Sequence, residues 1–595
     1  MSMRDLLSPF TAWKNLLRNP VTIPDPLNDR PGSDRYRGFH KNDNEKCIGC
    51  GTCEAICQNG AIDMLPVEGL PSKQGDSGLR PRIDYGRCCW CALCVDVCMT
   101  SSLTMSNEYK WVESDPDAFR FTPGVDKKFW DNAELGYHRP KDHRLVSPER
   151  VKMEELEAET RLNSFAEIVN GYSIEQAKLE ADRCVACGLC IATCPTHMAI
   201  PDYINAVREG DYEQGLKLLY DTNPFSNVCG RVCTRKCEST CASRHEGEPI
   251  AIRWLKRHII DQVPYEKYRD IIGDPGPPTG NKVAIIGAGP AGLTAAFDLV
   301  RIGHEVIVYE AQAAAGGMTR YGIPEYRLPY DALDKDIELI LSLGVTIHYN
   351  TRIGADISMQ QLTQEFDAVL LAIGLQEGRQ TRIPQSEHEK VYRAVDLLDK
   401  ITCEEAFEIP HCAVVIGGGN VAMDIARSLA RLQKQHYGKV DVVVTAMEDQ
   451  QHFMADADEI KEALEEGITI QDKCGPQGCE VDASGKLRGL KTWKVLSIFD
   501  EYHRFAPTYD DSDETIYACD TVIEAIGQFT DSSLLGKELT EKLEWDRGRI
   551  QVDTDGRTSE SWLWSAGDCV NGPDVVHAVA DGHRVAASID AMLKQ

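Results

Sequence analysis

Seventeen of the 23 cysteines in this 595-residue chain fall before residue 242, and they narrow what it can fold into more than any other feature. They come in four tight runs. Three share the spacing C-x2-C-x2-C-x3-C: Cys47, Cys50, Cys53 and Cys57; Cys88, Cys91, Cys94 and Cys98, with Cys89 left over; and Cys184, Cys187, Cys190 and Cys194. The fourth, Cys229, Cys233, Cys237 and Cys241, sets a cysteine about every helical turn. Disulfide scaffolds are usually short secreted chains, so local runs in a long chain read as metal ligation by thiolates. Paired C-x-x-C zinc sites would leave the third and fourth cysteines of each run unused.

The two-two-three spacing is that of bacterial ferredoxins. Three close thiolates wrap one 4Fe–4S cubane, and the fourth cysteine ligates the other cluster. One cluster then takes Cys47, Cys50, Cys53 and Cys98, and a second takes Cys88, Cys91, Cys94 and Cys57. Gln58 and Met99 replace the usual proline without removing a ligand. With residues 17–23, Asp34 to His40 and Asn107 to Tyr109, this segment resembles the two-cluster ferredoxin-like subunit of respiratory complex I. The resemblance implies that the N-terminus docks the chain peripherally into a larger assembly. An ordinary amphipathic helix over residues 3–18, packed on its own domain, stands as the equal alternative.

Eight more cysteines make two further 4Fe–4S sites by count. Ser173 and Gln176 form a capping-box pattern at the start of a helix running toward Cys184. Gly171 to Ser173, Arg183-Cys184 and the Cys229 to Cys233 run resemble the small subunit of glutamate synthase and its relatives. That resemblance implies one cluster on Cys184, Cys187, Cys190 and Cys233, and another on Cys194, Cys237 and Cys241. The family often completes the second cluster with Glu or Gln, where this chain has Lys256. A protonated lysine has no lone pair to give, which makes Cys229 the natural replacement.

After the breaker stretch Gly273–Gly280 the pattern changes to strand, glycine turn and helix. Gly287, Ala288, Gly289, Pro290, Ala291 and Gly292 follow one strand, and Glu310 ends the next, where a carboxylate reaches a ribose hydroxyl. Gly317, Met318 and Arg327 resemble the FAD-binding stretch of the glutamate synthase small-subunit family. Gly567 and Asp568, with Val576 in the helix beyond, resemble its FAD ribityl–phosphate motif. A second fingerprint, Gly417, Gly418, Gly419, Asn420 and Val421, with Ala422 at the third small position, implies a nicotinamide site nested inside the FAD fold. Gly374 and Gly527 resemble the family's crossover segments. Glu448 and Asp449 stand where NADPH enzymes of the family place arginines. Carboxylates repel a 2′-phosphate, so NAD(H) is favoured over NADP(H).

The expected fold is multidomain α/β plus α: a ferredoxin-like two-cluster domain over 1–115, a linker or wrapping strap over 116–149, and a helical two-cluster domain over 150–270. Nested Rossmann-like domains follow, FAD-binding over 281–395 and 516–595 and NAD(P)-binding over 396–515. A formal charge of −29 argues against nucleic acid. No stretch approaches the ~20 apolar residues of a membrane span, and residues 1–20 lack the pattern of a signal peptide, so the cytoplasm is expected. The reading is an iron–sulfur flavoprotein oxidoreductase with FAD and four 4Fe–4S clusters, exchanging electrons between a nicotinamide and a partner redox subunit or ferredoxin. No side-chain acid or base is required. A genuine glutamate synthase small subunit and a flavin-based electron-bifurcating subunit remain alternatives.

Overall fold

The computed structural model describes residues 8–16, 18–19, 32–70, 74–572 and 574–594. Residues 1–7, 17 and 20–31 lie outside them, which takes in part of the N-terminal stripe and most of the lead-in over residues 17–23. Of that region Ser8–Asn15 forms a 3-10 helix, with Phe10, Trp13 and Leu16 exposed. The chain divides into two compact units, Met1–Pro148 with Ala242–Glu248, and Glu149–Cys241 with Pro249–Gln595.

In the first unit His40–Asn42 pairs antiparallel with Leu103–Met105. Ile62–Pro66 pairs with Leu79–Asp84, to which Arg120–Phe121 adds. The helices Thr52–Ala55 and Leu93–Asp96 each start after a left-handed residue, Gly51 at φ 74° and Ala92 at φ 69°. Two residues earlier, Gly49 and Trp90 are also left-handed, so both cysteine runs follow the same backbone path. Trp90 and Ala92 hold this path without glycine, a local strain that the surrounding packing must over-determine. Residues 116–148 belong to this unit. Phe121 and Trp130 are buried in its core, and Trp130 Nε1 donates to the carbonyl of His40 at 3.2 Å. Aromatic burial makes that stretch part of the domain, and the sequence boundary at 115 falls too early.

The second unit begins with short helices, among them Ile174–Ala181, whose N-terminus carries the full Ser173–Gln176 capping box. Two parallel five-stranded sheets follow. The outer sheet runs Leu563–Ser565, Ala368–Leu371, Lys282–Ile286, Glu305–Tyr309, Thr346–His348. The inner runs Val391–Arg393, Thr521–Glu524, Ala413–Ile416, Val442–Thr445, Thr469–Gln471. Their central strands are buried on both faces, which is why they read as unbroken apolar runs. The inner fold is wider than the 396–515 expected, because the strands on one side of its sheet come from Val391–Arg393 and Thr521–Glu524. It also carries an antiparallel insertion, Cys474–Val481, Leu487–Phe499 and Phe505–Ala518, that the sequence reading did not identify.

Candidate redox centres

Both glycine fingerprints work by close backbone approach. A Cβ on Gly287 would lie 2.4 Å from the Ala372 carbonyl oxygen, and one on Gly417 would lie 2.3 Å from that of Ala525. The first glycine of each fingerprint therefore presses on a crossover segment, Ala372–Gly374 in the outer fold and Ala525–Gly527 in the inner. Helices Pro290–Ile302 and Asn420–Tyr437 start just beyond, with free N–H groups directed to where a pyrophosphate would sit.

The outer fingerprint borders an open cleft that reaches from the Gly287 loop to Gly567 and Asp568. Gly287, Gly289, Pro290, Ala291, Glu310, Gly317, Met318, Gly374, Gly567 and Asp568 all line it. Ala288 stands behind the wall and donates its N–H to Glu310 Oε2 at 2.8 Å. Glu310 Oε1 accepts from the N–H of Gln312 at 2.8 Å, so the carboxylate is locked in place. Asp568 Oδ1 is buried without a hydrogen-bond partner. Burial pushes the Asp568 carboxyl up to about 6, against the pull of Arg549. Asp568 lines the cleft and keeps an acceptor without a partner among the described residues, which fits the hydroxyl-rich linker of FAD.

Two expected flavin residues lie elsewhere. Arg327 places Nη1 2.8 Å from both carboxylate oxygens of Asp424 and Nε 2.8 Å from Glu459. Those acids belong to helices Asn420–Tyr437 and Ala457–Glu465 of the inner fold, so Arg327 ties the two folds together. Val576 lines a different cavity, described below, while Ala578 of the same helix lines the flavin cleft. Sequence reasoning missed Arg352 and Gln376 on the cleft wall, because neither sits in a motif.

At the inner fingerprint, residues 453–456 close over the glycine loop. Phe453 packs against Gly418, Ala455 donates to the Gly418 carbonyl at 3.0 Å, and the N–H of Asp456 donates to Asn420 Oδ1 at 2.8 Å. Gly419 has open space where a Cβ would stand, room for a phosphate to approach. Val421 follows in the first turn of the helix, and Gly527 borders Arg379. Glu448 and Asp449 lie just past the end of Val442–Thr445. Asp449 is paired with Lys473 at 2.7 Å, and that ammonium holds its carboxyl below the usual carboxylate range.

In the first unit a small cavity is walled by Cys47, Cys50, Cys53 and Cys98. The charges bearing on Cys94 come from Cys88, Cys91 and Cys57, the second group of four. Burial raises the Cys94 thiol and brings Cys88 to about 11. Four thiols converging on one cavity fit iron, which deprotonates its sulfur ligands outright. His40 Nε2 lies 3.3 Å from the Cys94 sulfur, with Nδ1 held by the Tyr85 hydroxyl at 2.8 Å.

The helical layer corrects the division taken from the resemblance. Cys184 and Cys190 face Cys241, with Cys187 alongside. A second cavity is lined by Cys194, Cys233 and Cys237, with Val576 and Lys256 also on its wall. Cys233 and Cys241 thus exchange places. The chain turns at Arg235, in left-handed conformation at φ 48°, between helices Ser226–Val232 and Lys236–Ser239, so the run is no continuous helix. Cys229 is wholly buried near Asn223 and, among the described residues, does not line this cavity.

Residues 281–582 match the family model for pyridine nucleotide-disulphide oxidoreductase. Residues 161–268 match that for dihydropyrimidine dehydrogenase domain II, 4Fe-4S cluster, and 46–102 that for a 4Fe-4S dicluster domain. The chain is 36% identical over 437 residues to the NADP(+)-dependent formate dehydrogenase subunit beta of Moorella thermoacetica, covering 68% of this chain and 60% of that protein. It is 30% identical over 478 residues to the glutamate synthase [NADPH] small chain of Escherichia coli, covering 75% of this chain and 98% of that one. The E. coli NAD-dependent dihydropyrimidine dehydrogenase subunit PreT is 33% identical over 439 residues, 73% of this chain and 98% of that protein.

Proposed function

Because the chain belongs to the pyridine nucleotide-disulphide oxidoreductase family, we propose that it moves electrons between a nicotinamide dinucleotide and a partner redox protein, as one subunit of a larger complex. When bound, FAD would accept a hydride and release its electrons singly to 4Fe–4S clusters. The chain supplies position and field. Glu310, Asp568 and the Gly287–Gly292 loop hold the flavin dinucleotide. The Gly417–Gly419 loop holds the nicotinamide dinucleotide. Fifteen cysteines, in four groups, hold the clusters, and Cys229 stands apart from them.

One observation carries this reading. Val576 lines the Cys194–Cys233–Cys237 cavity and Ala578 lines the flavin cleft, so a single turn of one helix borders both. This supports a first cluster near the flavin, with the Cys184 group as a further carrier in the same helical layer. The first unit's cysteines supply two further carriers.

Glu448 and Asp449 support NAD(H). The Lys473 ammonium beside Asp449 favours the second reading, NADP(H), since it offers a cation to a phosphate. The names of two relatives, formate dehydrogenase subunit beta and dihydropyrimidine dehydrogenase subunit PreT, support a partner subunit. No helix among the described residues is long and apolar enough to cross a membrane. The reliance on thiolate ligands supports a reducing, cytoplasmic setting. Anaerobic stopped-flow reduction with NADH and with NADPH tests the reading. Flavin bleaching by NADH that precedes cluster bleaching supports it. Faster reduction by NADPH overturns the nicotinamide preference, and reduction by neither overturns the activity.

A further inference from the structure

The cavity that borders the flavin cleft has an asymmetric wall. The thiols of Cys194, Cys233 and Cys237 line it, and so does Lys256 of helix Ile252–Gln262. Lys256 is 4% exposed. Two other cations line the same cavity, Arg235 and Arg253. Arg235 is matched by Asp456 at 2.9 Å and Asp458 at 2.6 Å, and Arg253 has Asp458 at 3.9 Å. No ion pair among the described residues engages Lys256. A buried ammonium with no anion opposite it is costly, so the anion it meets must come from what fills the cavity.

This inference rests on the reading of Cys194, Cys233 and Cys237 as cluster ligands. A cubane on three thiolates is net negative and gains one more negative charge on reduction. We propose that Lys256 sets the reduction potential of this cluster: its buried ammonium occupies the place of a fourth anionic ligand and stabilises the reduced state. Lys256 acts through its field and donates no electron pair, since an ammonium has none. The electron that reduces the cluster comes from the nicotinamide through the flavin, and no proton need accompany it. The consequence is directional. The first acceptor beside the flavin is held easier to reduce than its three neighbouring thiolates alone would allow, which pulls electrons off the flavin one at a time. Charge near the cluster and the number of anionic ligands are both established determinants of cluster potential.

The test is an EPR-monitored redox titration of the full-length reconstituted protein beside Lys256→Met, Lys256→Gln and Lys256→Arg, with iron and flavin content measured for each. The signal of this cluster is the one lost, with its iron, in Cys237→Ala. If Cys237→Ala removes no iron, the ligand reading fails and the inference with it. If the ligand reading stands, Lys256→Met is expected to make reduction of this cluster about tenfold less favourable or more, a fall of about 59 mV for a one-electron couple. Lys256→Arg is expected to restore it, and the other three signals to stay in place. An unchanged potential in either neutral variant that keeps its iron overturns the inference. If both neutral variants lose this cluster while Lys256→Arg retains it, the cluster needs the charge, which supports the inference. Loss in all three variants overturns it in favour of a purely structural role.

Discussion

Asp568 offers the sharpest test of how the flavin site is built. Its carboxyl is pushed up to about 6 from 3.8, chiefly by burial, with Asp574 and Asp581 adding to the rise and Arg549 opposing it. The sign follows from linkage. A carboxyl with a raised folded-state pKa binds more protons folded than unfolded between roughly pH 4 and 6, so stability falls as pH rises through that window. Two units at about 1.4 kcal/mol each give a penalty of about 3 kcal/mol that is fully present above pH 6. Asp568 Oδ1 has no partner among the described residues to offset it. Asp568→Asn is therefore expected to stabilise the flavin-free chain by about 2–3 kcal/mol at pH 8, and by much less at pH 4. The same change replaces a charge-assisted hydrogen bond to FAD by a neutral one, at about 1–2 kcal/mol, or roughly tenfold weaker binding. Thermal unfolding of flavin-stripped protein at both pH values, with flavin titration, reads both effects. A variant no more stable than the parent at pH 8, or one that binds FAD as tightly, refutes the reasoning.

Three further outcomes follow from the geometry. Arg327→Ala leaves Asp424 buried without its ion-pair partner, while Glu459 keeps Arg427, and is expected to cost about 3 kcal/mol of stability, read by chemical unfolding, with FAD affinity nearly unchanged. Glu448→Arg with Asp449→Arg is expected to lower the NADH:NADPH ratio of kcat/KM by tenfold or more, read by steady-state dye reduction, because the carboxylates that repel a 2′-phosphate become cations. Cys241→Ala is expected to remove the iron held with Cys184 and Cys190 and to spare the cluster beside the flavin, read by EPR and iron analysis.

Much of this organisation was legible in the sequence for local reasons. Gly287 and Gly417 announce themselves because a side chain at either position would strike a carbonyl oxygen. The crossed pairing of Cys98 and Cys57 follows from a short repeat that folds the same way twice, with left-handed residues at positions 49, 51, 90 and 92. The assignment of Cys233 and Cys241 was not legible, because even spacing looks like one helix until Arg235 turns the chain. Arg327 sits in a flavin-family motif, yet its charge is taken by acids about a hundred and more residues downstream, a pairing that only the packing of two folds creates. Lys473 likewise meets Asp449 only because the strand before it, Thr469–Gln471, lies beside Val442–Thr445. Phe121 and Trp130 look like linker residues until the first unit closes around them.

The central claim is that electrons leave the flavin through the cluster on Cys194, Cys233 and Cys237. Freeze-quench EPR after mixing anaerobic protein with NADH tests it most directly, comparing the parent with Cys237→Ala. The account predicts that the variant reduces its flavin at the parental rate while its remaining clusters stay oxidised on the timescale of turnover. Reduction of the first unit's clusters at the parental rate in that variant would contradict it.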